Sequence, residues 1–332
     1  MNATSEPENV VARKMIPKAA ERLPPYIVVS ESDLHLRRIW GNPREDTAAG
    51  MYLLALTVGY TEKANVNATV HKFDVVLYHY DGKTTEWDAD FAWSKNKTIH
   101  VSTRKQAKWW YAKRFLHPSI VAPYDYVFLW DEDVDATFFD ADEYVRMRIV
   151  QKHGLEISQP ALDITTGGLH TYDVTVRRTS SEVHRSSCGP GEEGRRPCSG
   201  FVEVMAPLFG REAWACVWHM VQNDLVDGWG LDWNFWRCVD DPEAQVGVVD
   251  AQFVVHRGVP TLLAQGSKPE DGGGSGSGSG GGGARERRWA EFHAFTWRLQ
   301  DAEQKAHQAA LPSVIVKEKA PAQAEAPPPQ DG

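Results

Sequence analysis

Cysteine is scarce in this sequence, positive charge is in deficit and long apolar runs are missing; each shortage removes a class of protein. Four cysteines in 332 residues (Cys188, Cys198, Cys216, Cys238) are too few for a disulfide scaffold, and a chain this long needs none. Two readings stay open: Cys188 and Cys198 close the Gly/Pro/Arg loop between them, or all four are free thiols. A net charge of −9 lacks the basic footprint that displaces counterions from phosphates, so no nucleic-acid partner is expected. No apolar stretch approaches the roughly 20 residues that span a bilayer. Met1-Asn2-Ala3-Thr4-Ser5 carries no signal-peptide core, so the expectation is a soluble chain or one whose start is truncated. Internal repeats are absent as well.

What is present suffices for a sizeable core: 42% of the residues are hydrophobic and 13 are Trp. Buried strands are read at 51–58, ending at Gly59, at 73–80, ending at Asp81-Gly82, and at 98–102 and 126–130. Polar stretches between them fit crossover helices, including Lys105 to His117 before Pro118. Alternating strands and helices predict an α/β fold with a mostly parallel sheet. Further on, Asp140 caps a predicted helix stopped by Gly154, Leu155 to Gln159 returns to the sheet, and Phe201 to Pro207 reads as a strand. A helix follows over Arg211 to Val226, then a short strand over Val246 to Val249.

Residues 1–25 read as an arm, 26–266 as the folded domain, 267–283 as a Gly/Ser linker and 312–332 as a Pro/Ala tail. In between, 284–311 places Trp289, Phe292, Phe295 and Leu299 at helical spacing behind Arg285, Arg287 and Arg288. This amphipathic basic helix either contacts a partner or a membrane surface, or folds back on its own domain.

The most informative pattern is Asp131-Glu132-Asp133, directly after the apolar run Tyr126 to Trp130. Open α/β sheets bind ligands beyond the carboxyl ends of their strands. Carboxylates gathered there can hold a divalent cation and, through it, a phosphate. Asp88-Ala89-Asp90, Asp133-Val134-Asp135 and Asp140-Ala141-Asp142 share the D-x-D spacing, but only Asp131 and Asp133 end a candidate central strand.

The stretches Lys108 to Pro118, Tyr126 to Asp133, Leu155 to Asp163, Phe201 to Pro207, Gln222 to Leu225, Trp229 to Asp232 and Val248 to Pro260 together resemble the plant DUF707 family, which carries the label "lysine ketoglutarate reductase trans-splicing related". The resemblance covers about Tyr26 to Leu262. It implies a fold similar to the GT-A glycosyltransferases, with a nucleotide-sugar donor, a glycan or small-molecule acceptor, Mn2+ or Mg2+, and a Golgi or secretory location. Family members usually begin with a membrane anchor that this chain lacks, and the linker and basic helix fall outside the resemblance.

On this reading Asp131 and Asp133 face one way along an extended strand, one ordering the nucleotide ribose while Asp133 ligates the metal. His256, after Phe253-Val254-Val255, is the further ligand the resemblance implies, with Asp250 a weaker candidate, and Asp81 joins the cofactor-binding set. Asp232, in Trp229-Gly230-Leu231-Asp232-Trp233, is the candidate base toward the acceptor, with Trp229, Trp233 and Trp236 as sugar-stacking rings. The plainer alternative makes Asp232 a helix cap and the tryptophans core. Lys108, Lys113 and Arg114, or the loop arginines 177, 178, 185, 195 and 196, are candidates to grip the diphosphate. The loop from Ile164 to Gly200 is a candidate lid. Two other functions compete: a non-catalytic protein on the same fold, and a haloacid-dehalogenase-type phosphatase with Asp133 as nucleophile and Asp135 as acid.

Overall fold

The computed structural model describes residues 21–24, 27, 52–70, 73–146, 149–190, 198–225, 227–259 and 282–310. The expected tail, and most of the expected arm and linker, lie outside these. Four strands build the parallel half of the sheet: β1 (Tyr52–Val58), β2 (Asp74–His79), β3 (Thr98–Ser102) and β4 (Tyr126–Asp131). β1 is buried along its whole length, as an unbroken run of apolar and β-branched residues demands when helices cover both faces.

The second half adds β5 (Val134–Asp135), β6 (Ile157–Leu162), β7 (Val183–His184), β8 (Leu208–Gly210) and β9 (Val246–His256). The spatial order is β3-β2-β1-β4-β8-β6-β9-β5, with β7 also on β9. β1 pairs in parallel with both β2 and β4, whereas β8 runs antiparallel between β4 and β6. The sheet is therefore mixed, and its parallel half is the one that carries the acidic cluster. Aliphatic and aromatic side chains form a core on each face.

Several expectations need correction. Phe201 to Pro207 is not a strand: the segment turns, and β4 uses only its carbonyls, through Leu129 N–H to Pro207 O (3.1 Å) and Asp131 N–H to Met205 O (2.9 Å). Pro207 has no N–H to return. β9 is 11 residues long rather than four, because its register on β6 shifts between Pro160 and Ala161 and the strand resumes beyond that irregularity. The helix α1 (Lys108–Phe115) is shorter than expected, and Pro118 opens a further turn at Pro118–Val121, where a proline costs no hydrogen bond.

Two more helices frame the site, α2 (Arg211–Met220) and α3 (Gly282–Ala310). Disulfides join Cys188 to Cys198 and Cys216 to Cys238, so no cysteine among the described residues is free. The second ties α2 to the 3-10 helix Asp232–Cys238. The apolar face of α3 is spent on its own domain: Phe295, Leu299 and Ala302 are buried in the same core as β1 and α1. Burying such a Phe and Leu is worth roughly 1.5–3 kcal/mol each. Arg298 pairs with Asp224 and Arg237 with Glu303 at its flanks. Of the two alternatives for this helix, the structure takes the fold-back on its own domain for these residues.

Candidate active site

Strands β1, β2 and β3 step outward to one side, whereas β4 lies on the other side of β1. Crossovers diverge there, and a crevice opens at the carboxyl ends of β1 and β4. Thr57 and Asp131 are register partners at that place. Both line a cavity of about 430 Å3, together with Tyr80, Lys108, Glu132, Asp133, Glu203, Asp227, Trp229, His256 and Arg288.

Asp131 Oδ1 lies 2.8 Å from Lys108 Nζ, which also donates to Val204 O (2.6 Å) and Met205 O (3.2 Å). Water still reaches the Asp131 carboxyl, whose side chain is 41% exposed, yet protein surrounds it. Desolvation therefore raises its pKa, against the opposing charge of Lys108. Asp133 Oδ2 accepts from Val259 N–H at 3.0 Å and lies 3.3 Å from His256 Nε2. Burial lowers His256, but Asp133, Asp131 and Glu203 together more than offset it, so the imidazole is raised overall. Glu132, between the two aspartates, points away to Gly59 N–H (2.5 Å) and the Tyr80 hydroxyl. Its burial pushes it up to about 8, so the middle member of the cluster is largely neutral at pH 7.

The donor set bears on Mn2+ or Mg2+ directly. No cluster of three or more Asp, Glu, His or Cys side chains around a common point occurs among the described residues. Asp133 and His256 are adjacent, and Asp131 is held toward Lys108. Hard cations are commonly held by one or two carboxylates, with phosphates and water completing the shell. The residues fit that open kind of site and not a closed protein cage.

A second cavity, of about 330 Å3, shares Thr171, Glu203, Val204 and Trp229 with the first. Its other walls are Tyr172, Gly230, Asp232, Trp233, Trp289 and Phe292. Asp232 is 5% exposed; burial pushes its carboxyl up to about 7, against a hydrogen bond from Trp233 N–H (3.0 Å). Glu203 is 7% exposed and raised by burial, and its Oε2 has no partner among the described residues. Gly228 and Gly230 (φ 87° and 92°) adopt the left-handed region beside Trp229.

Several candidates lie elsewhere. Lys113 points into the core, donating to Trp218 O (2.8 Å) over the Trp218 ring, and Arg114 covers the Trp110 ring. Five or six residues beyond Lys108 the helix has turned both away from the cavity. Asp81 accepts from Tyr60 N–H (2.8 Å) and Lys83 N–H (3.0 Å), ordering the turn after β2. Asp250 faces His184, Ser181 and the backbone of Arg178, anchoring the long loop. Trp236 packs beneath Arg237 and donates to Trp233 O.

Among the loop arginines, Arg177 and Arg185 donate to carbonyls at 250, 153 and 244, while Arg195 and Arg196 lie outside the described residues. The loop's contribution to the cleft is Thr171 and Tyr172. Asp135 pairs with Arg257 and accepts from Thr137, off the cavity, so the acid of the phosphatase reading is misplaced. Sequence reasoning missed Glu203, Asp227 and Tyr172 as site residues, and named Arg288, Trp289 and Phe292 only as parts of a helix. No local signal brings them to the cleft; a fold-back of α3 was needed.

These features define an α/β protein with a polar crevice at the switch point of its sheet, opening onto an aromatic cleft. The chain belongs to the DUF707 family, described as a protein of unknown function, whose profile matches residues 14–305. That match includes most of α3, which the resemblance had left outside. No curated protein matches. Among solved structures, S. aureus TarS residues 1–349 align with a TM-score of 0.41 and 8% identity, over 61% of this chain and 59% of that one. The mannosyltransferase Ktr4p from S. cerevisiae aligns with a TM-score of 0.25 and 10% identity, over 49% of this chain and 52% of that one. Its complex with GDP aligns over the same shares with a TM-score of 0.24 and 10% identity. The chain thus spans between half and three fifths of these proteins. No helix among the described residues is long and apolar enough to cross a membrane.

Proposed function

We propose that this protein is a metal-dependent glycosyltransferase of GT-A type, taking a nucleotide-sugar donor and a glycan or small-molecule acceptor. The observation that carries the reading is the shared wall: a crevice holding Asp131, Asp133, His256, Lys108 and Arg288 opens onto a cleft holding the buried Asp232. In this reading Asp133 and His256 hold Mn2+ or Mg2+, and Asp131 binds the ribose or joins them. The cation supplies positive charge to the diphosphate as it departs. Arg288, whose Nε faces Asp227, brings further N–H donors to the same oxygens, while Lys108, its three donors taken by Asp131, Val204 O and Met205 O, adds positive charge nearby.

Asp232 takes the proton of the acceptor hydroxyl while that oxygen bonds to the anomeric carbon. The sugar–phosphate bond breaks, and its electron pair leaves on the diphosphate. A carboxyl near pH 7 in its ionisation suits such a base. Two disulfides support a place in the oxidising secretory pathway.

A thermal-shift panel of UDP- and GDP-sugars, with and without manganese, tests the assignment. The wild type should be stabilised by at least one nucleotide in a manganese-dependent way, and Asp133→Ala should lose that response. No shift in the wild type, or equal shifts in both proteins, removes the site. Binding without transfer or hydrolysis would instead favour a non-catalytic protein on this fold.

A further inference from the structure

We propose that the cleft of about 330 Å3 binds an uncharged saccharide, and that α3 builds one of its walls with Trp289 and Phe292. The cleft's role as acceptor site rests on the transferase reading; saccharide binding stands on the geometry alone.

Large rings meet here from two distant parts of the chain, Trp229 and Trp233 from one and Trp289 and Phe292 from the other, with Trp229 edge-on to Trp289 at 5.3 Å between ring centres. Trp233 and Trp289 remain 43% and 44% exposed. Aromatic surface left open inside a concave, polar-floored site marks a binding surface. A pyranose ring has an apolar C–H face that packs on such rings and a rim of hydroxyls that needs partners. Glu203 offers one: more than nine-tenths buried and hydrogen-bonded to the Thr171 side chain, it lines both cavities and leaves Oε2 unpaired among the described residues. A buried carboxylate oxygen left without a donor is costly, and a sugar hydroxyl supplies the donor.

The charges narrow the ligand. Among the described residues no Lys, Arg or His lines this cleft, which disfavours an anion. A quaternary ammonium would also suit rings and carboxyls, but burial raises both Asp232 and Glu203 toward their neutral forms. A raised pKa at each carboxyl weakens the hold of this cleft on a cation, and titration with choline decides the point.

The placement of α3 is built rather than incidental. Glu291 accepts from Asp227 N–H at 2.8 Å, Arg288 pairs with Asp227 at 3.3 Å, and a Cβ on Gly230 would come within 3.0 Å of Phe292.

The full chain is titrated with cellobiose, xylobiose, N,N'-diacetylchitobiose and choline, by calorimetry and tryptophan fluorescence. At least one disaccharide should bind saturably, and Trp289→Ala should weaken it roughly tenfold, the loss expected for one stacked ring. Glu203→Gln should weaken it as well. Trp297→Ala, at a site 65% exposed on the same helix and outside the cleft, should bind like the wild type. The inference is overturned if none of the disaccharides binds, if choline alone binds, or if Trp289→Ala leaves affinity unchanged. Manganese-dependent binding of UDP and GDP, measured in parallel, separates the two claims. Disaccharide binding without nucleotide binding sinks the transferase reading and leaves this one standing, and the converse sinks this one alone.

Discussion

Lys113 should be a liability to the fold rather than a phosphate ligand. Its side chain is 6% exposed, with the ammonium 3.7 Å from the centre of the Trp218 ring and 2.8 Å from the Trp218 carbonyl oxygen. Burial pushes its pKa from 10.5 down to about 7. Between those values the unfolded chain keeps the proton that the folded protein has released, so stability rises with pH across the window. Each pH unit is worth up to about 1.4 kcal/mol, giving a ceiling of roughly 5 kcal/mol over the whole span. Below pH 7 the full penalty applies.

Lys113→Met removes that penalty and loses one hydrogen bond worth about 1 kcal/mol. Allowing for relaxation around the charge, which reduces the ceiling by about half, the variant should be about 1–3 kcal/mol more stable at pH 7. The advantage should vanish toward pH 10.5. His219, the neighbouring titratable side chain, is pushed down to about 4 by burial and the charge of Lys113, so it does not titrate in this window. Equilibrium urea unfolding at pH 6 to 10, disulfides intact, gives the difference between the two proteins at each pH. A gap constant between pH 7 and 10, or a variant less stable at pH 7, refutes the reasoning. Manganese-dependent nucleotide binding should survive the substitution, because Lys113 lines neither cavity.

Cys216→Ser or Cys238→Ser should cost about 3 kcal/mol for reopening the 22-residue separation, read as a lowered urea midpoint; dithiothreitol, which opens both disulfides, should lower the wild-type midpoint at least as far. Gly228→Ala forces a side chain into the left-handed region and sets its Cβ 2.0 Å from Trp109 Cδ1. A loss of about 2–4 kcal/mol is expected by thermal unfolding, and an unchanged melting temperature would contradict the packing.

The comparison of sequence with structure turns on how far each signal reaches. The strands at 52–58, 74–79, 98–102 and 126–131 were legible because buried parallel strands are continuous apolar runs, and adjacency then put Asp131 and Asp133 at a strand end. Lys108 was named, but its helix carries Lys113 and Arg114 in the same short run, and only the turn of the helix separates a cleft residue from a core one. Asp81 and Asp250 looked alike as strand-end acids. Their neighbours, backbone N–H groups in one case and His184 with Ser181 in the other, are contacts between chain segments that spacing does not encode. The extension of β9 was illegible for a similar reason: a shifted register is set by the partner strand.

The sequence by itself determined the α/β alternation, the acidic end of the fourth strand, the shortage of basic charge and the amphipathic pattern of the last helix. These are local or compositional properties, written in periods of two and 3.6 residues and in net charge. Only the tertiary structure decided that Glu203, Asp232, Trp229 and Trp289 share one cleft and that Cys216 meets Cys238. Those meetings join residues tens of positions apart, and they follow from which faces the sheet order and the docking of α3 bring together.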